Sequence, residues 1–277
     1  MFDLDVDDVI RAALREDMPA GDVTSENIIP AGAVSKAVFL AKEPGVLAGL
    51  PVARRVFEVL DARVAFEDAA QDGASLRKGD VLARLEGPSV SLLEGERTAL
   101  NFLQRLSGIA TATRRYVDAA AGTRTRILDT RKTTPGLRAL EKYAVRMGGG
   151  RNHRFGLSDM VLIKDNHLRY VGGVREAVRR ARERAPAGTR VEVEVTSLDE
   201  AREALDSGVD IVMLDNMTLE KMREVVALYA GRVQVEVSGN VTLDRVRDIA
   251  AIGVDFISVG ALTHSPRALD ISLEFLS

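Results

Sequence analysis

From about Arg126 onward the chain repeats one phrase: a short apolar run, a polar turn, then an amphipathic helix. The apolar runs are Arg126–Leu128, Met160–Ile163, Val191–Val195, Ile211–Leu214, Val233–Val237 and Phe256–Val259. Runs this short and this apolar, alternating with helices, suit strands covered on both faces, which means a parallel sheet layered by helices. The helices carry start signals. Ser197 with Glu200 three residues on is a capping box, and Thr218 and Thr242 stand as N-caps. Gly-Val-Asp recurs at 208–210 and 253–255, each time between a helix and the next strand, an internal echo of one βα unit.

In a β/α barrel the C-terminal ends of the strands surround a single site. Here those ends read Asp129-Thr130-Arg131-Lys132, Lys164-Asp165-Asn166, Glu194, Asp215-Asn216, Ser238-Gly239-Asn240 and Gly260. Any one of these could be a helix cap or a surface charge. Six in succession, mixing cations, carboxylates and a Ser-Gly-Asn turn, point to a site. Two of the three histidines, His153 and His167, fall in the same window as Arg131, Lys132, Arg154 and Lys164. The formal net charge of the chain is -3, so this is a local concentration of cations, suited to a small, multiply anionic ligand. A nucleic-acid surface would be basic over a whole face and richer in aromatics than 4% without tryptophan.

The first hundred residues read as α+β. They hold a helix over Asp7–Arg15, strands over Ala37–Ala41 and Val64–Glu67, and a helix over Pro51–Leu60 between the strands. The glycine-marked turns from Asp72 to Leu82 resemble the hammerhead of lipoyl and biotinyl carriers. They lack the modifiable lysine at a hairpin tip and are read as scaffold. A longer helix runs from about Ser91 to Leu106, with Leu92, Leu93, Leu100, Leu103 and Leu106 on its apolar side. Arg97, Asn101 and Arg105, spaced i, i+4, i+8, share another face, which suits either solvent or a subunit or domain boundary.

The inventory excludes several mechanisms. There is no cysteine, hence no disulfide, thiolate ligand or thiol nucleophile. There is no Gly-x-Ser-x-Gly elbow, no P-loop and no His-Glu-x-x-His. No apolar run reaches the ~18 residues of a spanning helix, and the acidic start at Met1–Asp5 lacks signal-peptide layout, so a cytoplasmic protein is expected. A Schiff base on Lys164 stays open. Arginine and lysine at the first strand ends can hold carboxylates or phosphates. Glu194 and Asp215 can take sugar hydroxyls, developing positive charge or Mg2+. Ser238-Gly239-Asn240 and Val259-Gly260-Ala261 suit a phosphate grip through backbone N–H groups. The expected ligands are a phosphorylated sugar, an anionic co-substrate and a divalent cation.

Four motifs, Arg97–Asn101, Thr130–Arg138, Gly149–Arg154 and Ile163–His167, resemble those of the nicotinate-nucleotide pyrophosphorylase (carboxylating), or quinolinate phosphoribosyltransferase, family. The likeness runs from Glu16-Asp17 and Gly21–Thr24 to Val259–Ser265. It implies an α/β fold: an N-terminal α/β sandwich (1–107 with 266–277) and an incomplete, open α/β barrel (108–265) of the type II phosphoribosyltransferase kind. It implies transfer of phosphoribosyl from phosphoribosyl pyrophosphate to quinolinate with loss of CO2, in NAD biosynthesis. Arg131, His153, Arg154 and Lys164 would grip the quinolinate carboxylates, joined by Arg97 of the partner subunit in a homodimer or an assembly of dimers. Lys132, Glu194 and Asp215 would be catalytic. Glu194, Asp215 and Asp165 would face Mg2+, and Lys132, Ser238, Gly239, Asn240 and Gly260 the phosphoribosyl group. Asn240 stands where many members carry glycine. A paralogue of the same fold encoded with molybdate transport, an aldolase on Lys164 and a non-catalytic binding protein are the alternatives.

Overall fold

The computed structural model describes residues 6–276, so the acidic Met1–Asp5 stretch lies outside the described residues. The chain forms two compact units. One holds the N-terminal part to Arg114, Thr133–Gly149 and the chain from Leu262 on; the other holds Arg115–Lys132 and Gly150–Ala261.

The first unit is built on a four-stranded antiparallel sheet in the order Ile271–Leu276, Val34–Ala41, Val81–Pro88, Ala65–Asp68. Phe39 of the sheet, Phe66 beside it and Phe57 of the Leu50–Leu60 helix meet with ring centroids 6.1–6.3 Å apart, the tilted geometry aromatic quadrupoles favour. The hammerhead-like turn has a structural task. Asp72 accepts the N–H groups of Gly49 (2.7 Å) and Leu50 (3.1 Å), capping that helix from outside, and the hydroxyl of Tyr143 (2.7 Å).

The long helix runs from Ser89 to Ala119 and does not stop near Leu106 as the leucine pattern suggests. Gly108 lies inside the helix and is there for contact. A Cβ at this position would lie 2.1 Å from the carbonyl oxygen of Arg267. The polar stripe also divides. Arg105 donates to the fully buried Glu141 (2.9 and 2.5 Å) and to Thr134 (2.6 Å), while Arg97 and Asn101 stay exposed.

The second unit carries six parallel strands in the order Arg126–Leu128, Phe256–Ser258, Gln234–Ser238, Ile211–Asp215, Val191–Val195, Val161–Ile163. From Val161 onward each strand pairs with the next in sequence, and the last returns to the first. A parallel bridge between Leu128 and Arg151 extends the far edge. Pairing therefore runs around a ring that is interrupted only between Arg151 and Val161, which is an open barrel. Val193, Val195, Val212, Leu214, Val237 and Ile257 are fully buried. Because side chains alternate along a strand, Glu192 and Glu194 point opposite to Val191, Val193 and Val195.

The repeated Gly-Val-Asp proves to be one device used twice. Asp210 accepts the N–H of Val191 (2.6 Å) and Asp255 that of Val235 (2.9 Å), so each locks the start of the neighbouring strand. Ser197 accepts the N–H of Glu200 (3.2 Å) as a cap should, but the Glu200 carboxylate returns to Thr196 (2.7 Å), shifting the box by one residue. Thr218 caps Lys221 (3.5 Å). Thr242 occupies an N-cap position without a side-chain cap bond. Among the described residues no helix is long and apolar enough to cross a membrane.

Candidate active site

Asp129 organises the cationic window. It ends the first barrel strand fully buried and accepts the Asn152 amide (2.5 Å) and the His153 backbone N–H (2.9 Å). With the backbone pair Arg151 N to Ile127 O (2.8 Å), this pins the 151–154 loop to the strand that precedes Arg131 and Lys132. Arg131 and Lys132 are exposed and Arg154 is half-buried. Burial, and then the like charge of Arg131, push the Arg154 guanidinium below its usual range. The charges of Glu192 and Asp159 oppose that shift, and a bound anion with several negative oxygens would oppose it further.

Lys164 ends the strand at the open edge and reaches Glu194 Oε2 at 3.5 Å. With about half its side chain in solvent it is not the desolvated amine that Schiff-base chemistry needs. His167, though inside the window, turns back: its Nδ1 accepts the Lys164 N–H at 2.9 Å, starting the Asp165–Val171 helix. Asp165 is exposed and lies 3.8 Å from Arg169.

Glu194 and Asp215 sit on adjacent strands. Burial raises the Glu194 carboxyl above its ordinary value; Lys164 opposes the shift, and Asp215 and Asp165 add to it. Next in the ring comes the Ser238-Gly239-Asn240 turn, with Gly239 at φ 87° and Asn240 at φ 47°. That left-handed conformation is why glycine or asparagine belongs at 240. Gly260 follows the last strand, half-buried.

Thus Arg131, Lys132, His153, Arg154, Lys164, Asp165, Glu194, Asp215, Ser238, Gly239, Asn240 and Gly260 all lie in the second unit, at or just beyond strand ends. Arg97 belongs to the first unit, exposed on the long helix.

Three polar positions make contacts that the sequence does not specify. Asn216, at φ 52°, donates to Asp215 (2.8 Å) and accepts from the Asn240 amide (3.1 Å), tying the carboxylate to the phosphate-type turn. Glu192 and Glu236 are fully buried, and with His153 they form a cluster whose ligand-type atoms lie within 4.8 Å of one another. His153 Nε2 is 3.1 Å from Glu192 and 3.6 Å from Glu236, and Ser258 donates to Glu236 (2.5 Å). Burial, reinforced by the charge of Glu192, pushes the Glu236 carboxyl far above its ordinary value. The alternation Val-Glu-Val-Glu-Val is the sequence signal that could have exposed Glu192.

An open parallel barrel with cations at one set of strand ends, two carboxylates next and a phosphate-type turn after them suits an enzyme that brings an anionic co-substrate to a phosphorylated sugar. The family model of the quinolinate phosphoribosyl transferase C-terminal domain matches residues 109–274, and that of the N-terminal domain matches residues 22–107. The chain is 44% identical over 259 residues to the probable nicotinate-nucleotide pyrophosphorylase [carboxylating] of Bacillus subtilis, covering 94% of this chain and 89% of that protein. It is 45% identical over 275 residues to the Mycobacterium leprae enzyme of that name, covering 96% of each. The crystal structure of NadC from Streptococcus pyogenes superposes with a TM-score of 0.94 at 48% identity, covering 98% of this chain and 97% of that one. The chain belongs to the quinolinate phosphoribosyltransferase family.

Proposed function

We infer that the chain transfers the phosphoribosyl group of phosphoribosyl pyrophosphate to the nitrogen of quinolinate, yielding nicotinate mononucleotide, CO2 and pyrophosphate. The observation that carries this reading is the order of groups around the ring. The like charge of Arg131 acts on Arg154, and a bound dicarboxylate would offset it. Lys164 stands between that dicarboxylate site and Glu194. Glu194, Asp215 and the 238–240 turn continue along adjacent strands.

Departure of pyrophosphate leaves positive charge on the ribose C1 and ring oxygen. Glu194 and Asp215 face that charge, a fixed field that needs no rearrangement at the moment of reaction. The pyridine nitrogen attacks the opposite side of C1; the pyridinium charge then stabilises the electron pair left on the adjacent ring carbon as its carboxylate departs as CO2, and a proton from solvent takes that place. Arg131, Arg154 and Lys164 hold the ring in register; Lys132, with the backbone of Ser238, Gly239, Asn240 and Gly260, holds the phosphate. No covalent intermediate on the chain is required, so positioning and charge supply the rate.

Glu194, Asp215 and Asp165 offer only carboxylate oxygens, the hard donors that Mg2+ takes. Bound there, Mg2+ would offset the charge of the pyrophosphate leaving group. Arg97 of the partner subunit would complete the dicarboxylate grip, which makes a homodimer, or an assembly of dimers, the working form. The cytoplasm is its place of action.

Incubation with quinolinate, phosphoribosyl pyrophosphate and Mg2+ tests the reading. Nicotinate mononucleotide and CO2 should appear in equal amounts. Absence of both products refutes it.

A further inference from the structure

The buried cluster of His153, Glu192 and Glu236 bears on how the proposed dicarboxylate site is held. His153 has the type and place of a substrate-binding residue, but its ring is turned inward, with only 8% of the side chain exposed. Its Nδ1 accepts the backbone N–H of Arg154 at 2.8 Å. A ring nitrogen that accepts carries no proton, so the neutral ring holds its proton on Nε2, and the tautomer is assigned from this pattern. Nε2 faces Glu192 Oε2 at 3.1 Å. Both nitrogens are therefore engaged within the chain.

Glu192 and Glu236 each retain one buried oxygen without a hydrogen-bond partner, Glu192 Oε1 and Glu236 Oε2. Ser258 fixes the other Glu236 oxygen at 2.5 Å. The chain of contacts runs from Ser258 through Glu236, Glu192 and His153 to the main chain of Arg154. Asp129 holds the same loop from its other side, at the Asn152 side chain and the His153 N–H.

We propose that His153 is a positioning residue and not a ligand of the substrate: anchored by Glu192 and Glu236, its imidazole fixes the Arg154 backbone and so aims the Arg154 guanidinium at the dicarboxylate. This rests on quinolinate binding at Arg131, Arg154 and Lys164. A specific cation-to-carboxylate fit is sensitive to placement, since a shift near 1 Å can lower a rate by about a hundredfold.

Two measurements on the full-length protein test it. In nitrogen-15 spectra of the imidazole rings, three histidines are to be resolved, and a His153→Gln sample identifies the one in question. The His153 ring should hold its proton on Nε2 and keep its nitrogen shifts when quinolinate saturates the protein, while the Arg154 side-chain signal moves. A ring that becomes imidazolium, or moves its proton to Nδ1, on adding quinolinate overturns the proposal. So does a stoichiometric metal ion, found by elemental analysis of the purified protein, that His153→Gln removes. Kinetics form the second arm. Glu192→Leu should raise the quinolinate KM about tenfold or more and leave the phosphoribosyl pyrophosphate KM unchanged. Glu192→Gln, which keeps an acceptor for Nε2 and brings its own donor for Glu236, should restore the wild-type KM. An unaltered quinolinate KM in Glu192→Leu, or no rescue by Glu192→Gln, contradicts it. A wild-type protein that turns over no quinolinate refutes the proposed reaction, and the ring spectra still report the tautomer.

Discussion

Glu236→Gln should make the protein more stable at neutral pH, and the reason can be worked from the barrel interior. Glu236 is fully buried, faces Glu192 and His153, accepts from Ser258, and feels Arg190 only weakly as a counter-charge. Its carboxyl, ordinarily near 4.5, is raised far above that by burial and by Glu192. An acid with a raised folded-state value binds a proton in the folded chain that the unfolded chain has released. Its contribution is fully favourable below the ordinary value and is lost as pH climbs toward the folded one, at about 1.4 kcal/mol per pH unit. That slope holds over the pH range between the ordinary value and the raised folded-state one. Glutamine offers the Ser258 hydroxyl the same acceptor and presents an amide donor to Glu192 with no proton to take up. Urea unfolding followed by circular dichroism at pH 5, 6, 7 and 8 measures the difference. Wild-type stability should fall away from that of the variant as pH rises. Parallel curves, or a variant less stable at pH 8, would refute the reasoning.

Three further outcomes follow from the geometry. Arg105→Leu leaves Glu141 buried without its partner, and the urea midpoint should drop by an amount equivalent to about 3–5 kcal/mol. Gly239→Ala places a Cβ 2.5 Å from Asn216 Oδ1 at φ 87°, so steady-state kinetics should show a phosphoribosyl pyrophosphate KM raised about tenfold with quinolinate KM little changed. Arg97→Ala and Lys164→Ala should each be inactive alone, and mixed dimers should regain activity because one of the two sites recovers both cations; mixing that restores nothing removes Arg97 from the partner's site.

Much of the barrel was legible because strands covered on both faces must be apolar, and the polar residues beyond them stand out. Asp215, Lys164 and the Ser238–Asn240 turn were placed at strand ends this way. Glu192 was not, since its role depends on His153 and Glu236, each about forty residues away. The reach of the long helix past Gly108 depends on the chain at Arg267, which no local pattern reveals. The direction of the window histidines was not legible for a similar reason: it is set by neighbours distant in sequence or by the local backbone. His167 caps a helix and His153 faces inward.

The central claim is that the strand-end cations receive a dicarboxylate while the carboxylates and the turn receive the sugar phosphate. A crystal structure with bound quinolinate tests this most directly. The quinolinate carboxylates should lie on Arg131, Arg154 and Lys164, with the ring nitrogen turned toward the side of Glu194 and Asp215 and the His153 ring still on Glu192. Quinolinate bound away from the Arg131 and Arg154 side chains would contradict it.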